Sequence, residues 1–118
     1  MAIIRLARVY DEPSPQDGTR ALVDRLWPRG LHRDDPRVGH WFKDVAPSTA
    51  LRQWYGHQPQ RYAEFARRYR AELKGPETAP ALAELRTLAH RGPLTLVTAT
   101  KTIEESQLPI LKKALEAR

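Results

Sequence analysis

The stretch that decides the predicted fold reads DGTRALVDRLWPRG and spans residues 17–30. Its Asp17-Gly18 pair is typical of a turn, and the apolar centre ALV at 21–23 indicates a covered strand over residues 20–26. The end of this strand and the loop after it carry three charged side chains within six positions: Asp24, Arg25 and Arg29. Because burial of an unpaired charge is costly, these residues predict either a binding site or a structural network of ion pairs.

Length and composition predict a single domain over residues 1–118, long enough to bury roughly two-thirds of its unfolded surface. The sequence has no cysteine, which excludes disulfides and thiolate zinc sites. No apolar run approaches the ~20 residues that a membrane span needs, and the first residues lack an apolar signal region. A cytoplasmic protein without membrane contact is therefore expected.

Basic residues outnumber acidic residues by 20 to 14, and the formal net charge is +6. The basic residues extend from Arg5 to Arg118 and alternate with acidic residues, so no basic tail carries the excess. Such a balance suits nucleic acid, an anionic ligand, or solubility alone, and it does not choose among them.

The remaining apolar patterns predict the other elements. Strands are expected over 3–9 and 94–99, with a short edge strand over 40–45, and helices over 49–55, 58–74, 78–91 and 102–117. Within the helix at 58–74, an apolar stripe recurs at helical spacing and comprises Tyr62, Phe65, Ala66, Tyr69 and Leu73. The order of these elements predicts an α/β class: a small single-domain sheet of three to four strands packed with about four helices.

Two features of the predicted helices concern their side-chain pairs and ends. Glu64 and Arg68, and Arg68 and Glu72, have the i,i+4 spacing that favours ion pairs. Thr102 and Glu105 have the spacing of a capping box at the start of the last helix. Pro109 falls inside that helix, so it either kinks the helix or marks its true start.

Several motifs occur in a fixed order over nearly the whole chain. They are RVYD at 8–11, DGTR at 17–20, LVDRLWPRG at 22–30, KDVAPS at 43–48 and GH at 56–57. Together they resemble the YeaO-like family, domain of unknown function 488. The resemblance implies a small, mostly bacterial α/β protein of this length, and it implies no settled activity.

The sequence departs from that family pattern after the last strand. Relatives typically have Tyr-x-Ala-Lys there and Asn-His at the start of the final helix, whereas this chain has Thr98-Ala-Thr-Lys101 and Ser106-Gln107. Lys101 is retained, and the aromatic ring and the imidazole are absent. Because ligands of open α/β sheets bind beyond the carboxyl ends of the strands, these changes predict an altered or lost activity.

The basic residues of these motifs predict a site for an anionic small molecule. Guanidinium groups bind phosphate or carboxylate through two hydrogen bonds, and an ammonium group adds a compact charge. The candidate ligand-binding residues are Arg25, Arg29, Lys43, Arg52 and Lys101. In the alternative interpretation, Arg25 or Arg29 forms a structural ion pair with one of three acidic residues: Asp11, Asp24 or Asp44.

If the site performs chemistry, His57 or Asp24 is the candidate proton-transfer residue, because imidazole titrates near neutral pH. His57 has an alternative role as a helix cap or loop anchor, and Ser48 is predicted to be an N-cap rather than a nucleophile. The histidines lack metal-ligand spacing, and no Walker or G-x-G-x-x-G loop is present, so neither a metal nor a cofactor is expected.

Two other functions remain open from the sequence. The protein could be a nucleic-acid-binding or accessory protein that uses a basic helix face formed by Arg67, Arg70 and Lys74. It could also be a partner-binding domain without catalytic activity. The sequence leaves the identity of the ligand and the oligomeric state open.

Overall fold

The computed structural model describes residues 3–117. Within them lie four strands and four α-helices: β1 (Ile4–Arg8), β2 (Thr19–Leu22), β3 (His40–Trp41), α1 (Thr49–Tyr55), α2 (Tyr62–Leu73), α3 (Ala79–Arg91), β4 (Leu94–Thr98) and α4 (Leu108–Glu116). The predicted α/β class, with three to four strands and about four helices, is confirmed. None of the helices within residues 3–117 has both the length and the apolar character needed to cross a bilayer.

The four strands form one parallel sheet in the order β1-β4-β2-β3. All five residues of β4 are buried at the centre of this sheet, where Val97 pairs with Ala7 on one side and Leu22 on the other. Parallel strands are normally covered on both faces, which explains the continuous apolar run of β4. Because the strands are parallel, the loops after β1, β2 and β4 all begin at the same edge of the sheet.

The two faces of the sheet are covered differently. One face contributes Ala21, Leu94 and Leu96 to the larger core, which contains the buried side chains of the helices. Leu22 and Val97 belong to a second, smaller core, since successive strand residues point to opposite faces. Loop residues complete this second core: Val9, Tyr10, Trp27, Leu31, Val38 and Ala99. The loop rich in Arg and Trp therefore covers one face of the sheet close to its carboxyl edge.

Several predicted boundaries differ from those of the structure. The predicted strand over 20–26 ends at Leu22, and the predicted strand over 40–45 has only two paired residues before a 3-10 turn at Lys43–Val45. The predicted helix over 58–74 begins with a 3-10 turn, and α2 starts at Tyr62. In the two strands, the predicted range extends beyond the backbone hydrogen bonding that defines the element. In the helix, the apolar stripe and α2 both begin at Tyr62, and the 3-10 turn over Pro59–Arg61 precedes them.

The last helix begins later than the sequence predicts. Residues Ile103–Glu105 form a separate 3-10 turn, and Thr102 makes no side-chain capping bond, so the predicted capping box is wrong. Helix α4 starts at Leu108, with Pro109 in its first turn. Proline is tolerated there because the first N–H groups of a helix have no intrahelical partner. Pro109 thus marks the start of α4, which was one of its two predicted roles.

The apolar stripe of α2 is confirmed, since Phe65, Ala66, Tyr69 and Leu73 are all buried. The predicted pair of Glu64 and Arg68 forms, with Arg68 Nε 2.8 Å from Glu64 Oε2. The predicted pair of Arg68 and Glu72 does not form. Glu72 instead accepts hydrogen bonds from the backbone N–H and the hydroxyl of Ser48, at 2.8 and 2.6 Å.

Ser48 is the N-cap of α1, as predicted, and Ser48→Ala tests its contribution to stability. Its Oγ accepts a hydrogen bond from Leu51 N–H at 3.1 Å and donates one to Glu72. We expect the substitution to lower the free energy of unfolding by about 1–2 kcal/mol, measured by urea denaturation. Thr49→Ala is the matched control, because Thr49 is exposed in the first turn of α1 and alanine favours helix. Equal stability of the two variants would contradict the capping role.

Candidate functional site

A cavity of about 280 Å³ lies at the edge where β2 and β4 end. We call it the carboxyl-edge cavity. Its walls come from the loop after β2, the loop between β4 and α4, helix α1 and the residues that flank α1, with Tyr10 after β1 and Phe65 of α2. Its volume is close to the lower end of the range of about 300–1,000 Å³ for ligand sites. Because the cavity lies beyond the carboxyl ends of the strands, it occupies the place where open α/β sheets bind their ligands.

The carboxyl-edge cavity brings together five of the seven predicted site residues: Asp24, Arg25, Arg29, Arg52 and His57. The other two do not line it. The Lys43 ammonium lies 5.4 Å from the centre of the Trp41 ring, next to the edge strand β3. Lys101 follows β4 with an exposed side chain outside the lining.

Arg25 is held at the cavity by neutral acceptors. Its Nε donates to the carbonyl of Pro47 at 3.1 Å, and one of its terminal nitrogens donates to the carbonyl of Ala46 at 3.0 Å. These bonds fasten the loop after β2 to the segment before α1. Because backbone carbonyls carry no net charge, the guanidinium keeps its positive charge at the wall of the cavity.

The guanidinium groups of Arg29 and Arg52 have no hydrogen-bond partner among residues 3–117, and both residues are exposed at the cavity. The backbone of Arg29 is anchored by the hydroxyl of Tyr10, which donates to its carbonyl at 2.9 Å. In the described part of the chain, the ion pairs join Arg20 to Asp17, Arg37 to Asp35, and Arg67 and Arg68 to Glu64. The alternative of structural ion pairs at Arg25 or Arg29 is therefore wrong for these residues.

Asp24 accepts three hydrogen bonds through its carboxylate. Oδ1 accepts from Thr98 Oγ1 at 2.6 Å and from Gln107 Nε2 at 2.8 Å, and Oδ2 accepts from Ala99 N–H at 2.8 Å. We call these four residues the Asp24 clasp. The clasp joins the end of β2 to the end of β4 and to the start of α4. It gives Asp24 a structural role that the sequence did not reveal, since its partners are more than 70 positions away.

His57 lies at the cavity in an unusual backbone conformation. Its φ is 55°, and Gly56 before it has a φ of 54°, so two consecutive residues adopt the left-handed region. A residue with a Cβ pays roughly 1–2 kcal/mol to adopt this region. The first of these two residues, Gly56, ends α1, and His57 after it is exposed and lines the cavity. Strain of this kind recurs at functional sites.

Aromatic side chains form part of the apolar wall, and no motif in the sequence pointed to their place at the cavity. The Tyr55 ring stacks on Phe65 with centroids 4.3 Å apart, and both residues are almost fully buried. The Tyr55 hydroxyl donates to the carbonyl of Glu105 at 2.7 Å. Burial, together with the charge of Glu105, raises the pKa of Tyr55, so its phenol is neutral at physiological pH. The only sequence signal for these residues was their apolar spacing.

The family model described as "Inactive DUF488-N3 subclade" matches residues 3–118. The chain belongs to this family. It is similar to the uncharacterized protein Rv3073c of Mycobacterium tuberculosis, with 52% identity over 115 residues that cover 98% of this chain and 95% of the relative. It is also similar to the uncharacterized protein YeaO of Escherichia coli, with 38% identity over 108 residues and 92% of each chain covered. The predicted resemblance is confirmed, and no solved structure matches.

Two residues in which this DUF488 protein departs from the expected family pattern are adjacent, at the start of α4. Ser106 Oγ donates to the carbonyl of Ile103 at 2.7 Å and accepts from Leu108 N–H at 3.2 Å, so Ser106 joins the 3-10 turn to the first residue of α4. Gln107 belongs to the Asp24 clasp. Both residues therefore stabilise the fold at the position where the pattern has an amide and an imidazole.

Among residues 3–117, no three His, Asp or Glu side chains are grouped as metal ligands would be. The ionisable groups that line the carboxyl-edge cavity comprise three guanidiniums, two carboxylates, two phenols and one imidazole. The arrangement is suited to holding an anion next to an apolar surface.

Proposed function

We propose that this protein binds a small molecule bearing a phosphate or a carboxylate in the carboxyl-edge cavity, without catalysing a reaction on it. The observation that carries the proposal is the convergence of Arg25, Arg29 and Arg52 on one cavity, with none of them paired to a carboxylate of the described residues. Several guanidinium groups at one site can bind one carboxylate or phosphate through charge-assisted hydrogen bonds.

The acidic residues at the cavity do not cancel this charge. Two carboxylates, those of Asp24 and Glu105, face three guanidiniums. The Asp24 carboxylate is already occupied by three donors of the clasp, which reduces its effect on an anion in the cavity. The balance within the cavity therefore favours a negatively charged ligand.

Binding without catalysis is supported by the hydrogen bonding of the two candidate proton-transfer residues, Asp24 and His57. A proton taken up by the Asp24 carboxylate would compete with the donors of the clasp and weaken the hydrogen bonds that join the strand ends. His57 makes no hydrogen bond to residues 3–117, so no partner within them orients its imidazole as a general base requires. The description of the family as an inactive subclade agrees with this proposal.

The test is calorimetric titration with inorganic phosphate and with benzoate at low ionic strength. We expect both anions to bind the wild-type protein, and we expect Arg29→Gln combined with Arg52→Gln to weaken binding at least about tenfold. Neither guanidinium has a partner within residues 3–117, so the double variant should fold normally. The matched control combines Arg67→Gln with Arg70→Gln on α2, outside the cavity lining.

The same variants separate the proposal from the nucleic-acid alternative. Arg67 and Arg68 both bind Glu64, which reduces the positive charge of the face that would meet a phosphate backbone. Binding of a single-stranded RNA that falls steeply with salt, and falls further in the Arg67 and Arg70 variant, would support that alternative. Failure of both anions to bind the wild-type protein would contradict the anion-binding proposal.

A further inference from the structure

Three aromatic residues at the carboxyl-edge cavity already donate their polar hydrogens to backbone carbonyls. The hydroxyls of Tyr10 and Tyr55 donate to Arg29 and Glu105 at 2.9 and 2.7 Å, and the Trp27 indole N–H donates to Leu31 at 2.8 Å. With their donors engaged, these side chains offer the cavity the carbon surface of their rings and, for the two tyrosines, the acceptor lone pairs of the phenol oxygens. Such a surface suits the apolar face of a flat ring.

Gln107 offers a different group to the same cavity. Its Nε2 donates to the carbonyl of Val23 at 3.0 Å and to Asp24 Oδ1 at 2.8 Å. A backbone carbonyl and the carboxylate of the clasp act here as acceptors, so these partners fix which end of the amide is nitrogen. The carbonyl oxygen Oε1 must then lie on the other side of the amide.

Oε1 of Gln107 receives no hydrogen bond from a donor within residues 3–117. Gln107 is only 7% exposed, yet Oε1 is not among the fully buried, unpartnered atoms of the described residues. Gln107 lines the carboxyl-edge cavity, so this accessible oxygen is the polar atom that its amide can offer there. An acceptor held in place by two donated bonds, and with no donor of its own, points to a donor supplied by the ligand.

We infer that the ligand is a monocyclic aromatic acid, a carboxylate or a phosphate monoester, that carries a hydroxyl or amino group on its ring. The ring of the ligand packs against the side chains of Tyr10, Trp27 and Tyr55. Its anionic group binds the guanidiniums, and its hydroxyl or amino group donates a hydrogen bond to Gln107 Oε1. A volume of about 280 Å³ accommodates one such ring and its substituents. The inference rests on the proposed function and narrows the class of ligand.

The experiment compares small aromatic and aliphatic carboxylates by calorimetry on the wild-type protein. The probes are benzoate, the three hydroxybenzoate isomers, the three methoxybenzoate isomers and cyclohexanecarboxylate. A methoxy group keeps the oxygen and removes the donor. We expect at least one hydroxybenzoate to bind about 3- to 10-fold more tightly than benzoate and than its methoxy counterpart, as one neutral hydrogen bond provides. We also expect cyclohexanecarboxylate to bind more weakly than benzoate.

Gln107→Met provides the second measurement. We expect the ratio between the dissociation constants of the methoxy and hydroxy probes to fall toward one in this variant, because the acceptor is gone. The ratio is read on protein shown to be folded by circular dichroism. If the variant does not fold, the comparison of probes on the wild-type protein still decides the inference.

The outcomes distinguish this inference from the proposed function. If benzoate binds but no hydroxybenzoate binds more tightly than its methoxy counterpart, the inferred hydrogen bond from the ligand ring to Gln107 is wrong, while the proposal of anion binding stands. If benzoate and cyclohexanecarboxylate bind equally, the aromatic ring is wrong. If neither benzoate nor inorganic phosphate binds, the proposed function fails, and this inference fails with it.

Discussion

Asp24→Ala is expected to lower the free energy of unfolding by about 3–5 kcal/mol, because three donors lose a charged acceptor at once. Those donors are the Thr98 hydroxyl, the Ala99 N–H and the Gln107 amide. Thr98 is fully buried and Gln107 is 7% exposed, so water replaces the carboxylate poorly at these two groups. The measurement is urea denaturation followed by tryptophan fluorescence, with an unchanged m-value showing that the effect is on stability.

Asp24→Asn is the matched control. Asparagine retains one acceptor oxygen and places an NH₂ group where the other carboxylate oxygen lay, so we expect about half of the loss seen for alanine. A loss below about 1 kcal/mol for Asp24→Ala would contradict the structural role of the clasp. Asp24 would then not be committed to the fold, and one of the supports for binding without catalysis would be lost.

The fold class and the internal elements could be predicted because their signals are local. The apolar run of β4 and the stripe of α2 identify a buried strand and an amphipathic helix without information from elsewhere in the chain. Their order along the chain then limits the arrangement to an α/β sheet. Gly56 after α1 likewise marks a helix end by its own left-handed backbone.

The end of β2 and the start of α4 could not be predicted. The residues that bind the chain just after β2 are distant in the sequence, and a local 3-10 turn delays the start of α4. Asp24 leaves the strand to bond Thr98 and Ala99, 74 and 75 positions later in the chain. Thr102 and Glu105 have the spacing of a capping box, but the backbone there forms a 3-10 turn, and α4 begins only at Leu108. A local pattern indicates a helix end only when no competing local bond is available.

The sequence allowed part of the set of residues that line the cavity to be predicted. Asp24, Arg25 and Arg29 follow β2, and the ends of parallel strands share one edge, so their place at the cavity follows from the fold. Lys43 was misplaced because it follows the edge strand β3, where its ammonium contacts Trp41. The roles of the aromatic side chains and of the Gln107 oxygen at the cavity could not be predicted. These roles depend on which polar atoms of each side chain already bind the backbone, and the sequence does not show those bonds.

Arg20→Leu is expected to have an effect as large as that of Asp24→Ala. Arg20 is 6% exposed, and its guanidinium donates to Asp17 Oδ2 at 2.8 Å and to the carbonyl of Arg37 at 2.7 Å. It also donates to the carbonyls of Asp11 and Val9, at 3.1 and 3.4 Å. Its removal leaves the Asp17 carboxylate, itself only 13% exposed, without its cation. We expect a loss of about 3–5 kcal/mol near neutral pH, measured by urea denaturation.

The pH dependence of this loss of stability distinguishes the contribution of the ion pair from that of Arg20 side-chain packing. Burial acts to raise the pKa of Asp17, but the hydrogen bonds from Ser14 N–H and Arg20 outweigh it and hold the pKa below its ordinary value of 3.8. A carboxyl whose pKa is lowered by folding stabilises the protein above its unfolded pKa, and that contribution is lost as the pH falls through the folded pKa. The difference in stability between wild type and Arg20→Leu should therefore narrow as the pH falls from about 5 to about 3.

Arg37→Leu is the matched control for the Arg20 variant. Arg37 binds Asp35 at 2.8 Å, and its hydrogen bonds lower the pKa of Asp35 to about 2. The Arg37 side chain is 32% exposed, compared with 5% for Arg20, so solvent screens its pair and the loss of stability should be much smaller. If the difference between wild type and Arg20→Leu stayed constant from about pH 5 to about pH 3, the lost stability would come from packing of the Arg20 side chain. A narrowing difference assigns it to the charge that Asp17 and Arg20 share at the start of β2.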